Sequence, residues 1–215
     1  MNLNLFFTPT DILLPAHADM RRWSVIACDQ FTADAGYWQA VQDTVCDAPS
    51  TLRLMLPEFY LGKCDEAAAT REIQQTMRRY LDDGVFRTVP HSLVLVQRTL
   101  PGGAVRCGVV GALDLEAYDY APDSVTPIRA TEGTVASRLP ARVRIRAAAA
   151  LEMPHIMVFY SDPEDTIRRE AQAAAGETLY DFDLMSGGGH VRGLRIAGAK
   201  ADALAARLCA TGVGT

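Results

Sequence analysis

Residues Ser92–Leu115 read SLVLVQRTLPGGAVRCGVVGALDL. Two β-rich runs, Ser92–Leu100 and Val105–Leu115, flank Pro101, Gly102, Gly103 and Ala104. Apolar runs broken by a Pro-Gly-Gly cluster predict a β-hairpin. A second hairpin is predicted further along, where TLYDFDLM (Thr178–Met185) and HVRGLRIAG (His190–Gly198) flank Ser186, Gly187, Gly188 and Gly189.

Between and around the hairpins lie helical patterns. Asp65–Gly84 opens with acidic residues, carries Ile73, Met77, Tyr80 and Leu81 as an apolar stripe, and ends on a glycine placed as a C-terminal cap. Asp34 is a plausible N-cap for a helix with Tyr37, Trp38, Val41 and Val45 on one face. Asp162 and Pro163 start a helix that Gly176 ends, and Ala199–Ala210 forms a last one. Three further apolar runs read as strands: WSVIACDQF (Trp23–Phe31), STLRLMLPEFYL (Ser50–Leu61, ended by Pro57) and PHIMVFYSD (Pro154–Asp162). Hairpins and helices mix without regular alternation. The expected fold is therefore α+β, with a mixed, largely antiparallel sheet, hairpins and packed helices, in a single compact domain over residues 1–215.

The chain has 215 residues, of which 49% are apolar and 22% charged, and it carries a formal charge of −5. That is ordinary for a globular protein large enough to form its own core. An acidic chain argues against broad nucleic-acid binding. Five scattered cysteines without a Cys-x-x-Cys pair imply reduced thiols rather than a disulfide framework or structural zinc site. No signal peptide or bilayer-spanning run is evident, so a cytoplasmic protein without membrane contact is expected.

Against this acidic background, Ile128–Arg146 (IRATEGTVASRLPARVRIR) gathers five arginines and one acidic residue, Glu132. Read as a strand, PARVRIR sets Arg142, Arg144 and Arg146 on one face and Val143 and Ile145 on the other. Such a face suits a phosphate or carboxylate, because the guanidinium fork matches their oxygens. It equally suits an edge strand whose charges deter aggregation or pair with acidic neighbours. Glu132 could bind a metal, act as a base or hold an arginine. His155, after Glu152, could bond an anion or move a proton, or sit partly buried against backbone. Asp29, just past the Trp23 run, is a candidate metal ligand or general base, and its neighbour Cys28 reads as a small buried residue. The three glycines before His190 suit an anion nest or simply a hairpin turn. No zinc spacing, Gly-x-Ser-x-Gly elbow or Gly-x-Gly-x-x-Gly loop is present.

Several segments, taken in order, carry a resemblance: DILLP, WSVIACDQFT, YW, DAPSTLRLMLPEFYL, RTLPGG, GALDLEAYDY, Ile128–Tyr160 and GGGHVRG. Together they resemble the bacterial and archaeal family called domain of unknown function 1015, from about Asp11 to Gly193. The resemblance implies longer members that carry, past the region matching Ala199–Ala210, a phosphate-binding stretch like that of the ParB, sulfiredoxin and free-serine-kinase superfamily. This sequence ends at Thr215 before any such stretch, so it is expected to match the N-terminal half alone.

A nucleotide-dependent kinase of a small, amino-acid-like metabolite is then one expectation, with magnesium and ATP or ADP as cofactors. In it Asp29 and Glu132 are catalytic, and Gln30, Arg129, Thr131, Arg142, Arg144, Arg146 and His155 hold substrate or anion. The other expectation is a non-catalytic anion- or partner-binding module lacking the phosphate loop. The partner would be a small anionic metabolite or nucleotide; a homodimer is compatible with either reading, and the net charge of −5 opposes nucleic acid.

Overall fold

The structure is a computed structural model that describes residues 5–27, 31, 33–121, 123–130, 133, 136–153 and 155–211. In chain order the regular elements are β1 (Phe7–Thr8), β2 (Thr10–Pro15), α1 (Met20–Trp23), α2 (Ala35–Val45), α3 (Glu66–Asp82), β3 (Phe86–Thr99), β4 (Val105–Val110), β5 (Ala112–Leu113), β6 (Tyr118–Asp119), β7 (Ile128–Arg129), α4 (Leu139–Arg146), α5 (Thr166–Ala174), β8 (Thr178–Asp183), β9 (His190–Ala197) and α6 (Ala199–Thr211).

The long strand β3 organises the sheet. Its first half pairs with β2 and its second half with β4, while β9 runs along the other edge and β8 lies outside β9. All these pairings are antiparallel; β6 and β7 form a short parallel pair. Both predicted hairpins form. In the first, Val94 faces Val110 and Thr99 faces Val105. The Leu100 N–H donates to the Ala104 carbonyl at 2.8 Å, and Gly103 takes the positive φ the turn requires.

Side-chain alternation places Leu93 and Leu95 of β3 on one face, opposite Ile196 and Leu194 of β9. Helices α5 and α6 cover that face. Ala201, Leu204, Ala205 and Leu208 form the buried stripe of α6, and Ile167 and Ala171 that of α5. Val94 points the other way yet is also buried, so both faces of β3 are covered. A second apolar cluster joins Trp23, Leu54, Ile73, Met77 and Tyr80, and a third joins Ile26 to Tyr37, Trp38, Val41 and Val45.

The helix ends follow their sequence signals. Asp34 accepts from the Tyr37 N–H, and Asp65 from the N–H groups of Ala67 and Ala68. Gly84 adopts φ of 66°, and the Val85 N–H reaches back to the Tyr80 carbonyl, closing α3 as a Schellman cap. Two arginines cap α2: Arg22 donates to the carbonyls of Thr44 and Val45, and Arg53 to those of Cys46 and Ala48. Cations there also meet the negative end of the helix dipole.

Four strand readings are corrected. Ser50–Leu61 folds as two 3-10 turns, Thr51–Leu54 and Glu58–Tyr60, the first capped by the Ser50 hydroxyl. Residues 24–27 form no ladder, and Ile26 is buried by packing against α2 instead. Residues 155–161 likewise carry no strand. PARVRIR is the body of α4: Pro140 fits the first helical turn, and Ala141 and Ile145, four residues apart, face inward.

Candidate functional site

Because α4 is a helix, its arginines do not share one face. Each points to a glutamate supplied by another segment or by the chain just beyond. Arg142 Nη2 lies 2.8 Å from Glu58 Oε1, Arg144 Nη2 lies 2.6 Å from Glu66 Oε2, and Arg146 Nη1 lies 2.9 Å from Glu152 Oε1. The carboxylates of Glu58 and Glu66 are the better shielded, at 21% and 30% exposure, so the arginines reach inward to them. The C-terminal carbonyls of α4 are capped from α3: Gln74 Nε2 donates to the carbonyls of Arg144 and Ile145, and Arg78 to that of Ala148. Ile145, Ala149, Leu151 and Met153 then pack on the Trp23 cluster. The positive charge concentrated in Ile128–Arg146 thus meets acidic partners at α4.

An exposed surface ion pair of this kind is worth about 0.2–1 kcal/mol. The pairs hold α4 in place and engage only part of the Arg142 and Arg144 guanidiniums, each of which carries five donors. Leu139 and Val143, four residues apart on α4, are exposed beside the arginines, at 42% and 61%. Arg129, on β7, donates from Nε to the Thr126 carbonyl at 3.3 Å within its own loop. His155 is exposed. It begins a run of apolar residues on the surface: Ile156, Met157, Val158 and Phe159 are 57%, 78%, 37% and 64% exposed. Tyr160 then returns to the α5–α6 core, where burial first, and the Asp162 and Asp165 carboxylates next, push its phenol above the ordinary value. Asp29, Gln30, Thr131 and Glu132 lie outside the described residues, as does Cys28.

A second polar cluster was only half visible in the sequence. His190 Nδ1 lies 2.8 Å from Asp183 Oδ1, and Nε2 lies 2.6 Å from Asp181 Oδ1. Arg21 and Arg192 approach the same two carboxylates. The register explains it, since β8 and β9 set Asp183 opposite His190 and Asp181 opposite Arg192. The legible signal was opposite charge alternating with period two in YDFD and HVR. With both ring nitrogens engaged, this His190 has no lone pair left for a metal, and among the described residues no group of acidic, His and Cys side chains is arranged to hold one.

The hydrogen bond to Asp183 first, and that to Asp181 next, raise the His190 pKa above 6.5. The His190 bond lowers that of Asp183 below 3.8. The histidine contribution to stability is therefore full below about pH 6.5 and lost as pH rises through its raised folded pKa. The aspartate contribution is full above about pH 4 and lost as pH falls through its lowered folded pKa. Melting temperatures of the parent and His190→Gln should differ most at about pH 5–6 and converge towards pH 9. A difference independent of pH would deny the clamp.

The free thiols Cys46 and Cys64 are exposed, and Cys107 and Cys209 are partly buried. Among the described residues no helix is long and apolar enough to cross a membrane.

These features define an α+β protein with an ion-paired arginine helix, an acid–histidine hairpin and an exposed apolar run. The chain belongs to the family described as a protein of unknown function, DUF1015, whose profile matches residues 9–210. No curated protein and no solved structure matches it.

Proposed function

We propose that this protein acts by association, holding a partner or metabolite that joins an anionic group to an apolar surface. The exposed run Ile156–Phe159 carries this reading, because four successive large apolar side chains at the surface are what an interaction site presents. His155 at its head, and the unspent donors of Arg142 and Arg144, supply the chemistry for a phosphate or carboxylate. Ion pairs worth about 0.2–1 kcal/mol each do not prevent an incoming anion from competing with Glu58 and Glu66. Arg129, Arg146, Gln30 and Thr131 are proposed as further contacts for the same anion.

A thermal-shift titration with phosphate, ATP, ADP, serine and phosphoserine, with and without magnesium, tests the anion site. An anion at a hundred times its dissociation constant should add about 2.7 kcal/mol, roughly 5–10 °C for a chain of this size. Arg144→Ala should remove the shift, and no nucleotide should turn over. Phe159→Asp tests the apolar half; a dimer seated on this run would lose its concentration-dependent mass in that variant. No shift with any anion would leave the arginines as structural ion pairs. Magnesium-dependent turnover of ATP, abolished in Asp29→Asn or Glu132→Gln, would replace association by the phosphotransferase reading, with those residues as base or metal ligand.

A further inference from the structure

A cavity of about 430 Å³ opens between α2, the two 3-10 turns and α3. Its size falls within the roughly 300–1,000 Å³ of preformed small-molecule sites. The apolar part of its lining comes from Leu52, Met55, Leu56 and Ile73. The polar part converges from three elements. Gln42 on α2 donates from Nε2 to the Tyr60 hydroxyl at 2.6 Å. Among the described residues that is the only bond to this hydroxyl, so its proton remains to be donated. Burial raises the Tyr60 pKa, which keeps that proton in place.

On α3, Glu72, Thr76 and Arg79 lie on one face at helical spacing. Arg79 Nη2 donates to Thr76 Oγ1 at 3.0 Å, and the buried Thr76 hydroxyl contacts Glu72 Oε1 at 3.4 Å. Arg79 and Glu72 are themselves 3.9 Å apart, a loose pair with both side chains more than half exposed. Arg53 contributes a second cation, although its Nε and Nη2 are spent on the end of α2. The lining thus carries two cations against one anion.

We propose that this cavity binds a small organic monocarboxylate, its apolar body against Leu52, Leu56 and Ile73 and its carboxylate on Arg79 and the Tyr60 hydroxyl. A single net positive charge matches a monoanion, and Arg79 keeps one Nη2 hydrogen beyond its bond to Thr76, which with Nε or Nη1 forms the one parallel donor pair left for a carboxylate. A phosphate dianion fits less well, because Glu72 repels it and the apolar floor gives its other oxygens nothing to bond. The inference stands apart from the association surface, since neither uses the other's residues.

Cys46 provides a reporter, because it lines the cavity while Cys64, also exposed, does not. The experiment is alkylation by iodoacetamide followed by mass spectrometry, using the rate at Cys64 as internal reference and 3-phenylpropanoate as probe. With acid at ten times its dissociation constant, alkylation at Cys46 should slow about tenfold while Cys64 is unchanged. Its amide, 3-phenylpropanamide, and inorganic phosphate should not protect. Arg79→Gln, at an exposed position that leaves the fold intact, should weaken the protection about tenfold or more. Tyr60→Phe should weaken it less, giving a second variant that does not depend on Arg79. An unchanged Cys46 to Cys64 ratio at millimolar acid would overturn the proposal. So would equal protection by the amide or phosphate, which would show that the carboxylate is not what is recognised.

Discussion

Replacing Gly189 by alanine is expected to cost about 3–5 kcal/mol, from overpacking together with a backbone that side chains avoid. Gly189 has φ of 92°, and a Cβ built there would sit 2.1 Å from the Thr99 carbonyl oxygen. Backbone cannot swing aside as a flexible side chain can. The β8–β9 turn is pinned by the same crossing: Leu184 N–H donates to the Gly189 carbonyl at 2.8 Å, and Arg98 Nη2 donates to the Gly188 carbonyl at 3.2 Å. At roughly 2–4 °C per kcal/mol for a chain of this length, the melting temperature should fall by about 10 °C. Gly187→Ala is the control. Its φ is also positive, at 66°, but nothing lies within 4 Å of the added methyl, so only the backbone term of about 1 kcal/mol remains. Equal losses in the two variants would show that close approach to Thr99 is not the cause.

The same glycines show where sequence and structure part. The tract before His190 was legible as a turn, and an anion nest was the competing idea. The structure gives two of them a packing reason that no local pattern carries. Gly188 leaves room for Ile26 from far upstream, and Gly189 for β3. A further glycine in the hairpin, Gly193, lies under the Tyr180 ring across the strand pair, and burial there pushes the phenol up to about 12. Both hairpins, the caps at Asp34 and Gly84, the helix α6, and the apolar faces of α2 and, except for the exposed Leu81, of α3 were readable, because each is set by neighbours within a few residues.

The misread segments share a different cause. In Ser50–Leu61 and Leu139–Arg146, apolar residues recur at spacings that a strand and a short helix both satisfy. What decides between them is a partner distant in sequence. Ile145 settles on the cluster that α3 helps to form, and Gln74 and Arg78 receive the end of α4. Glu58, Glu66 and Glu152 then take the arginines. An alternation of charged and apolar residues over five positions cannot announce three glutamates drawn from three segments. Conversely, PHIMVFYSD has the composition of a buried strand, yet Ile156–Phe159 lie at the surface and residues 155–161 form no ladder. That mismatch between composition and burial is what the proposed association surface rests on.

Trp23→Ala is expected to cost about 3–5 kcal/mol, the usual range for deleting a buried aromatic side chain. Trp23 is only 6% exposed and sits where four pieces of chain meet. Its ring stands edge-on to Phe86 of β3 at 5.5 Å and tilted against Tyr80 of α3 at 6.1 Å. Its carbonyl accepts from the hydroxyls of Ser50 and Thr51 at 3.1 and 2.8 Å, which fixes the first 3-10 turn. The Tyr80 hydroxyl in turn accepts from the Ser50 N–H. Removing the indole leaves a cavity between a helix and a strand that are both anchored elsewhere, so collapse is limited and the cost should lie towards the upper end. Trp23→Phe keeps a ring against both neighbours and should cost no more than about 1.5 kcal/mol. Urea unfolding followed through Trp38, the chain's other tryptophan, measures both variants. The expected result is a lower midpoint with an unchanged slope, since the surface exposed on unfolding hardly changes. A loss below about 1 kcal/mol for Trp23→Ala would mean that the Trp23 cluster is loosely held. The cavity next to it, which shares Ile73 with that cluster, would then lack the rigid floor that carboxylate binding requires.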